Sequence, residues 1–133
     1  MRVLIVEDDI FLQDFYRLFF KKIKCDVVIK EDGTDILNEI ISGNVDLIIM
    51  DINLRNTYLN GLRVDGIRFS RYIKTNYPHL SMPILLITAY PVNSFGENML
   101  EESLADDYLI KPITDYNQLV NKINKLVYAQ NER

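Results

Sequence analysis

Short apolar runs punctuate the chain: VLIV at Val3 to Val6, VVI at Val27 to Ile29, LIIM at Leu47 to Met50, ILLI at Ile84 to Ile87 and YLI at Tyr108 to Ile110. Each is continuous rather than alternating, as in a strand of a parallel sheet covered on both faces. The segments between them carry apolar residues at helical spacing. Phe11, Phe15, Leu18 and Phe19 share one face of the first segment, and Ile36, Leu37, Ile40 and Ile41 one face of the second, while Ile67, Tyr72 and Ile73 suit a third. A weaker fourth pattern runs from Asn93 to Ser103. The fifth, Leu119, Val120, Ile123, Leu126 and Val127, follows Asp115, a residue suited to cap a helix. Strands alternating with helices predict an α/β doubly wound domain, a five-stranded parallel sheet with helices on both faces. No internal repeat or linker interrupts it. The domain is expected over 1–128, with AQNER at 129–133 as a frayed tail.

The polar residues that close these runs carry the chemistry. VLIV is followed by Glu7, Asp8 and Asp9, LIIM by Asp51, ILLI by Thr88 and YLI by Lys111. In an open α/β sheet, ligands bind outside the carboxyl ends of the strands, where the strand order reverses. A flavodoxin-like order, 2-1-3-4-5, puts that point between the first and third strands, so Glu7, Asp8 and Asp51 converge. Carboxylates gathered in one crevice repel one another, and burying them is costly without a cation. Oxygen ligands select a hard ion such as Mg2+ over zinc, for which the single His79 and single Cys25 are too few. Mg2+ binds through one or two carboxylates together with phosphate oxygens, so the crevice invites a phosphoryl ligand. Lys111 supplies a point charge for it and the Thr88 hydroxyl a donor. Singly, each residue has an ordinary reading: Asp9 as a helix cap, Asp51 as a turn residue, Lys111-Pro112 as a loop. Joint position is what makes them specific. His79, in a polar connection, is expected to be exposed and inert, and Phe11, Phe15, Phe19 and Phe20 to pack in the core.

Composition narrows the class. The 133 residues are 48% hydrophobic and 26% charged, which suits one globular domain with a sizeable core. A net charge of −4 argues against a direct nucleic-acid surface, which would concentrate Lys and Arg. Cys25 is the sole cysteine, so no internal disulfide forms, as suits a reducing compartment. The apolar stretch of MRVLIVEDD is too short for a signal peptide, and no run approaches a membrane span. A cytoplasmic protein with no membrane partner is expected.

Over nearly its whole length the chain closely resembles the receiver domain of two-component response regulators. VLIVEDD is similar to the family's first strand and acidic pair, Glu7 and Asp8, and LIIMDINL to the strand that carries the phosphoaccepting aspartate, here Asp51. LLITAY supplies the hydroxyl residue Thr88 beside Ala89, and ADDYLIKP supplies Tyr108 and Lys111 before Pro112. The resemblance implies that Asp51 takes a phosphoryl group from a phosphohistidine of a histidine kinase or histidine phosphotransfer protein. It implies Mg2+ held by Asp8, Asp51 and the Asn53 backbone carbonyl, with Glu7 acting through water, and Lys111 stabilising the phosphoryl charge. A switch follows, in which Thr88 moves toward the phosphoryl group and Tyr108 turns inward. An output partner or a second copy would read it on the face of the fourth helix, fifth strand and fifth helix. Asn53 and Tyr90 would flank the path of an attacking water and set the phosphoryl lifetime, and the Lys111–Pro112 bond is expected to be cis. Such a protein is not an independent enzyme and promotes only its own phosphorylation and dephosphorylation.

Two departures from the family pattern stand out. INLRNTYLNGLRVDG carries Arg55 where a proline is usual, and Asp65-Gly66 arrives about seven residues late. Asn60-Gly61 suits a tight turn at the tip of this insertion, with Tyr58 and Leu59 in solvent. Arg55 to Gly61 is then either a surface elaboration or a device that contacts a kinase or covers the site. Leu104 stands where glycine is frequent, and is read as local repacking. The competing functions are a receiver-like interaction module that works without phosphate, and a phosphohydrolase of the haloacid dehalogenase type. The former would lack the acceptor, an acid or the lysine, and the latter usually carries Asp-x-Asp on its first strand. A flavin-binding flavodoxin is disfavoured because no Ser/Thr/Gly-rich loop follows the first strand. The length leaves no room for an output domain after the last helix, so a stand-alone receiver or a piece of a longer regulator is expected.

Overall fold

The computed structural model describes residues 1–89 and 99–131. The main sheet comprises β1 (Arg2–Val6), β2 (Asp26–Lys30), β3 (Leu47–Asp51), β6 (Ile84–Thr88) and β7 (Asp107–Ile110), and a separate hairpin supplies β4 (Tyr58–Leu59) and β5 (Leu62–Arg63). The helices are α1 (Ile10–Lys22), α2 (Gly33–Ile41), α3 (Gly66–Asn76), α4 (99–103) and α5 (Tyr116–Asn131). Every pair in the main sheet is parallel, in the order β2-β1-β3-β6-β7. This is the 2-1-3-4-5 order expected from the sequence. Among the described residues no helix is long and apolar enough to cross a membrane.

The continuous apolar runs are buried on both faces because successive side chains point to opposite sides of the sheet. Leu4, Val6, Ile48, Met50, Ile84 and Leu86 form one core with α2, α3 and Met99. Val3, Ile5, Leu47, Ile49, Leu85, Ile87 and Leu109 form the other with α1 and α5. Fully burying each such side chain stabilises by roughly 2 kcal/mol, so these three central strands form a rigid base for whatever sits at their ends.

The helix faces need correction in places. In α1 the buried residues are Tyr16, Phe19 and Phe20, with Leu12 and Phe15 partly covered. Phe11 and Leu18 are 81% and 63% exposed, so neither belongs to the core. Two overlapping stripes fit this segment. The one that packs includes Phe15, which meets Tyr116 of α5 at a centroid distance of 5.7 Å. Ile41, at the end of α2, is likewise exposed. The expected caps are present: Asp9 Oδ1 accepts from the Phe11 and Leu12 amides, and Asp115 Oδ1 from the Gln118 amide. Helix α5 continues through Asn131, into the residues read as a tail.

The insertion folds into a hairpin docked on the domain. Asn60 and Gly61 have φ of 52° and 81°, the left-handed pair that a two-residue hairpin turn requires. The predicted turn is therefore there, but only half of the predicted exposure is. Tyr58 is exposed, whereas Leu59 is buried against the core that includes Ile36. The reason lies at Gly33, where a Cβ would fall on the Tyr58 carbonyl oxygen. Only glycine lets β4 settle there. The buried Thr57 hydroxyl donates to the Glu31 carbonyl at 2.8 Å, fixing the hairpin's base to the segment before α2. Leu104 ends α4 at φ 57°, the left-handed conformation in which glycine is unstrained.

Candidate functional site

The carboxyl ends of β1, β3 and β7 open into a crevice of about 400 Å³ lined by Glu7, Asp8, Asp9, Asp51, Asn53, Arg55, Asn56 and Lys111. Oxygens of Glu7, Asp8 and Asp51 all lie within 4.8 Å of one another. The carboxylates expected to converge do so. Asp51 is the last residue of β3, and the glycine after Asp65 explains how closely α3 starts beside it. A Cβ on Gly66 would fall on the Asp51 carbonyl oxygen.

Lys111 follows β7, and its amide donates to the Thr88 carbonyl at 2.6 Å. The Lys111–Pro112 bond is cis, as expected. The ammonium lies 2.8 Å from Asp51 Oδ1 and 3.5 Å from Glu7 Oε1. Glu7, only 1% exposed, is held by its other oxygen, Oε2, which accepts the Asp8 and Asp9 amides at 3.1 and 3.2 Å. Asp8 is tied differently: its Oδ2 accepts the Arg55 amide at 2.6 Å and the Asn56 amide at 3.2 Å.

Burial, and then the adjacent Asp51 carboxylate, push the Glu7 carboxyl up to about 7 against the opposing pull of Lys111. Below that pH Glu7 keeps a proton, which relieves the crowding of charge. The Tyr16 phenol beneath is also raised, first by burial and then by Glu7 and Asp51. Glu7 Oε1 is buried and has no hydrogen-bond partner among the described residues, since the Lys111 ammonium stands at ion-pair distance only. An all-oxygen donor set with an unsatisfied buried oxygen fits a hard divalent cation such as Mg2+.

The remaining predicted residues take three positions. Asn53 is exposed at the crevice wall. Thr88, at the end of β6, is 2% exposed and does not line the crevice. Tyr108 is half-buried on β7, with the Lys122 ammonium 5.5 Å from its ring centroid. Tyr90 and the start of the expected fourth helix lie outside the described residues. Sequence reasoning missed the Arg55 and Asn56 amides on Asp8, Gly33, and Gln13, whose Nε2 donates to the Glu7 carbonyl at 2.7 Å. The Asp32-Gly33 pair at the head of α2 repeats the Asp65-Gly66 signal at the head of α3 and pointed to the close approach.

The family model for the response regulator receiver domain matches residues 3–124. Response regulator ArlR of Staphylococcus saprophyticus is 30% identical over 99% of this chain and 54% of its own length. The CAI-1 autoinducer sensor kinase/phosphatase CqsS of Vibrio cholerae is 27% identical over 92% of this chain and 17% of its own. The chain spans about half the length of the first two curated relatives it matches, 54% and 50%. Among solved structures, a CheY-like receiver domain protein from Methanospirillum hungatei superposes with TM-score 0.78 at 22% identity, covering 98% of this chain and 96% of that one. The signal receiver domain of an HD domain-containing protein from Pseudomonas fluorescens gives 0.81 at 21%, covering 98% and 89%. These likenesses agree with the flavodoxin-like sheet order, and the family match covers the strands that build the crevice. The chain therefore belongs to the receiver domains of two-component response regulators.

Proposed function

We propose that the chain accepts a phosphoryl group on Asp51 from a phosphohistidine of a histidine kinase or histidine phosphotransfer protein and signals through α4, β7 and α5. The observation that carries this reading is the Lys111 ammonium 2.8 Å from Asp51 Oδ1, in a crevice shared with Glu7 and Asp8. An Asp51 oxygen attacks phosphorus, the P–N bond breaks, and the imidazole leaves with the bonding pair and is left with one proton fewer than its protonated form. The product is an acyl phosphate. Beyond the nucleophile the chain contributes position and charge. Lys111 turns from Asp51 to the phosphoryl oxygens and stabilises them. Asp8, Asp51 and the Asn53 carbonyl, with Glu7 through water, would hold Mg2+, which would supply charge neutralisation at the phosphoryl group.

The Thr88 hydroxyl moves toward the new dianion and Tyr108 turns into the space behind it, changing the face that an output partner or second copy reads. Asn53 and Tyr90 set the phosphoryl lifetime. The chain acts on its own phosphorylation state and on no separate substrate. A relative that is a sensor kinase/phosphatase supports a kinase partner, and the unpaired Cys25 suits the cytoplasm.

Incubation with acetyl phosphate and Mg2+, read by intact mass, tests the reading. One phosphoryl adduct is expected on the wild type, and none on Asp51→Asn or in EDTA. Equal adducts on wild type and Asp51→Asn would overturn it, and sustained turnover of a generic phosphatase substrate would favour the hydrolase.

A further inference from the structure

We propose that Arg55 is a second phosphoryl-binding cation of this crevice, presented by the docked hairpin and acting beside Lys111; the inference rests on phosphoryl acceptance at Asp51. The two cationic residues line the crevice from different elements, Lys111 just after β7 and the exposed Arg55 at the base of the hairpin. Lys111 is already engaged by Asp51 and Glu7. Arg55, by contrast, makes no ion pair among the described residues, although Glu7, Asp8, Asp9 and Asp51 line the same crevice.

The backbone of Arg55 is fixed. Its amide is held by Asp8 Oδ2 at 2.6 Å, and the next amide, that of Asn56, by the same oxygen. Thr57 is anchored to the Glu31 carbonyl, Val64 closes the hairpin by donating to the Thr57 carbonyl at 3.0 Å, and Leu59 is buried beside Gly33. With the backbone beneath it already ordered, the guanidinium gives up only its own rotamer freedom on binding, and its planar fork matches two oxygens of a phosphoryl group. An incoming phosphoryl dianion adds negative charge to a crevice already rich in carboxylates. A cation not committed to one of them has that charge to receive.

The test uses small probes, so that no protein partner surface takes part. Beryllofluoride affinity with saturating Mg2+, Mg2+ affinity alone, and the rate of labelling by acetyl phosphate and by phosphoramidate are measured on wild type, Arg55→Ala and Arg55→Lys. Arg55→Ala is expected to weaken beryllofluoride binding about tenfold and to slow labelling by both donors to a similar extent, while Mg2+ affinity is retained or rises. Arg55→Lys restores part of the loss. Unchanged or tighter beryllofluoride binding by a folded Arg55→Ala protein overturns the proposal, as does labelling of that protein at the wild-type rate by both donors. If the wild type itself binds no beryllofluoride and takes no label, the Asp51 reading fails and this inference falls with it.

Discussion

Glu7→Gln isolates what it costs the fold to keep a third carboxylate in the crevice. The Glu7 carboxyl rises from an ordinary 4.5 to about 7, chiefly by burial and then by Asp51. Between those pH values the folded protein holds a proton that the unfolded chain has released, so protons favour folding. The contribution is complete below pH 4.5 and is lost as pH rises through 7. At about 1.4 kcal/mol per pH unit, the displacement corresponds to about 3 kcal/mol at most, and water in the crevice that Glu7 lines reduces it. Gln carries the hydrogen-bonding capacity of the protonated acid without its charge. In EDTA, denaturant unfolding should therefore show wild type losing up to about 2.5 kcal/mol between pH 5 and 8 relative to Glu7→Gln, up to about 10 °C in Tm. Adding Mg2+ at pH 8 should stabilise both proteins, which share Asp8 and Asp51, and the wild type by more, because the ion also relieves the charge on Glu7. Parallel pH profiles for the two proteins in EDTA would refute the reasoning.

Asp8→Ala removes the acceptor for the Arg55 and Asn56 amides, and their hydrogen exchange should accelerate about tenfold or more, the measure of a lost charge-assisted bond; unchanged protection would detach the hairpin from the acid cluster. Gly33→Ala places a methyl on the Tyr58 carbonyl and should destabilise the domain by about 1–3 kcal/mol in urea, with faster tryptic cleavage at Arg55 or Arg63. Leu104→Gly should stabilise by roughly 0.5–1 kcal/mol, since relief of the left-handed strain outweighs the added freedom of the unfolded chain; a loss of stability would mean that Leu104 packs productively despite being 43% exposed.

What was legible in the sequence is what depends on position along a strand. Val3 to Val6, Leu47 to Met50 and Ile84 to Ile87 are buried on both faces, and an uninterrupted apolar run states that directly. Once the order is fixed, Glu7, Asp8, Asp51 and Lys111 must meet, because the ends of parallel strands share one edge. Less legible was anything set by packing at long range. Phe11 and Leu18 fit a helical stripe as well as Leu12 and Tyr16 do, and only contact with the sheet and Tyr116 selects between them. The hairpin strands have two residues each, too few to show a period, although Asn60-Gly61 announced their turn. Leu59 looked like a loop-tip residue because its cover comes from Gly33, far away in the chain. The rise at Glu7 arises only when Asp51 and the surrounding core are in place.

Asp51 is the proposed nucleophile at a cation-assisted crevice. The most direct test is to label the protein with acetyl phosphate and Mg2+, trap the acyl phosphate with borohydride, and map the modified residue by peptide mass. Modification at residue 51 alone is the predicted result. Stable modification at Glu7, Asp8 or Asp9 with residue 51 untouched would contradict it.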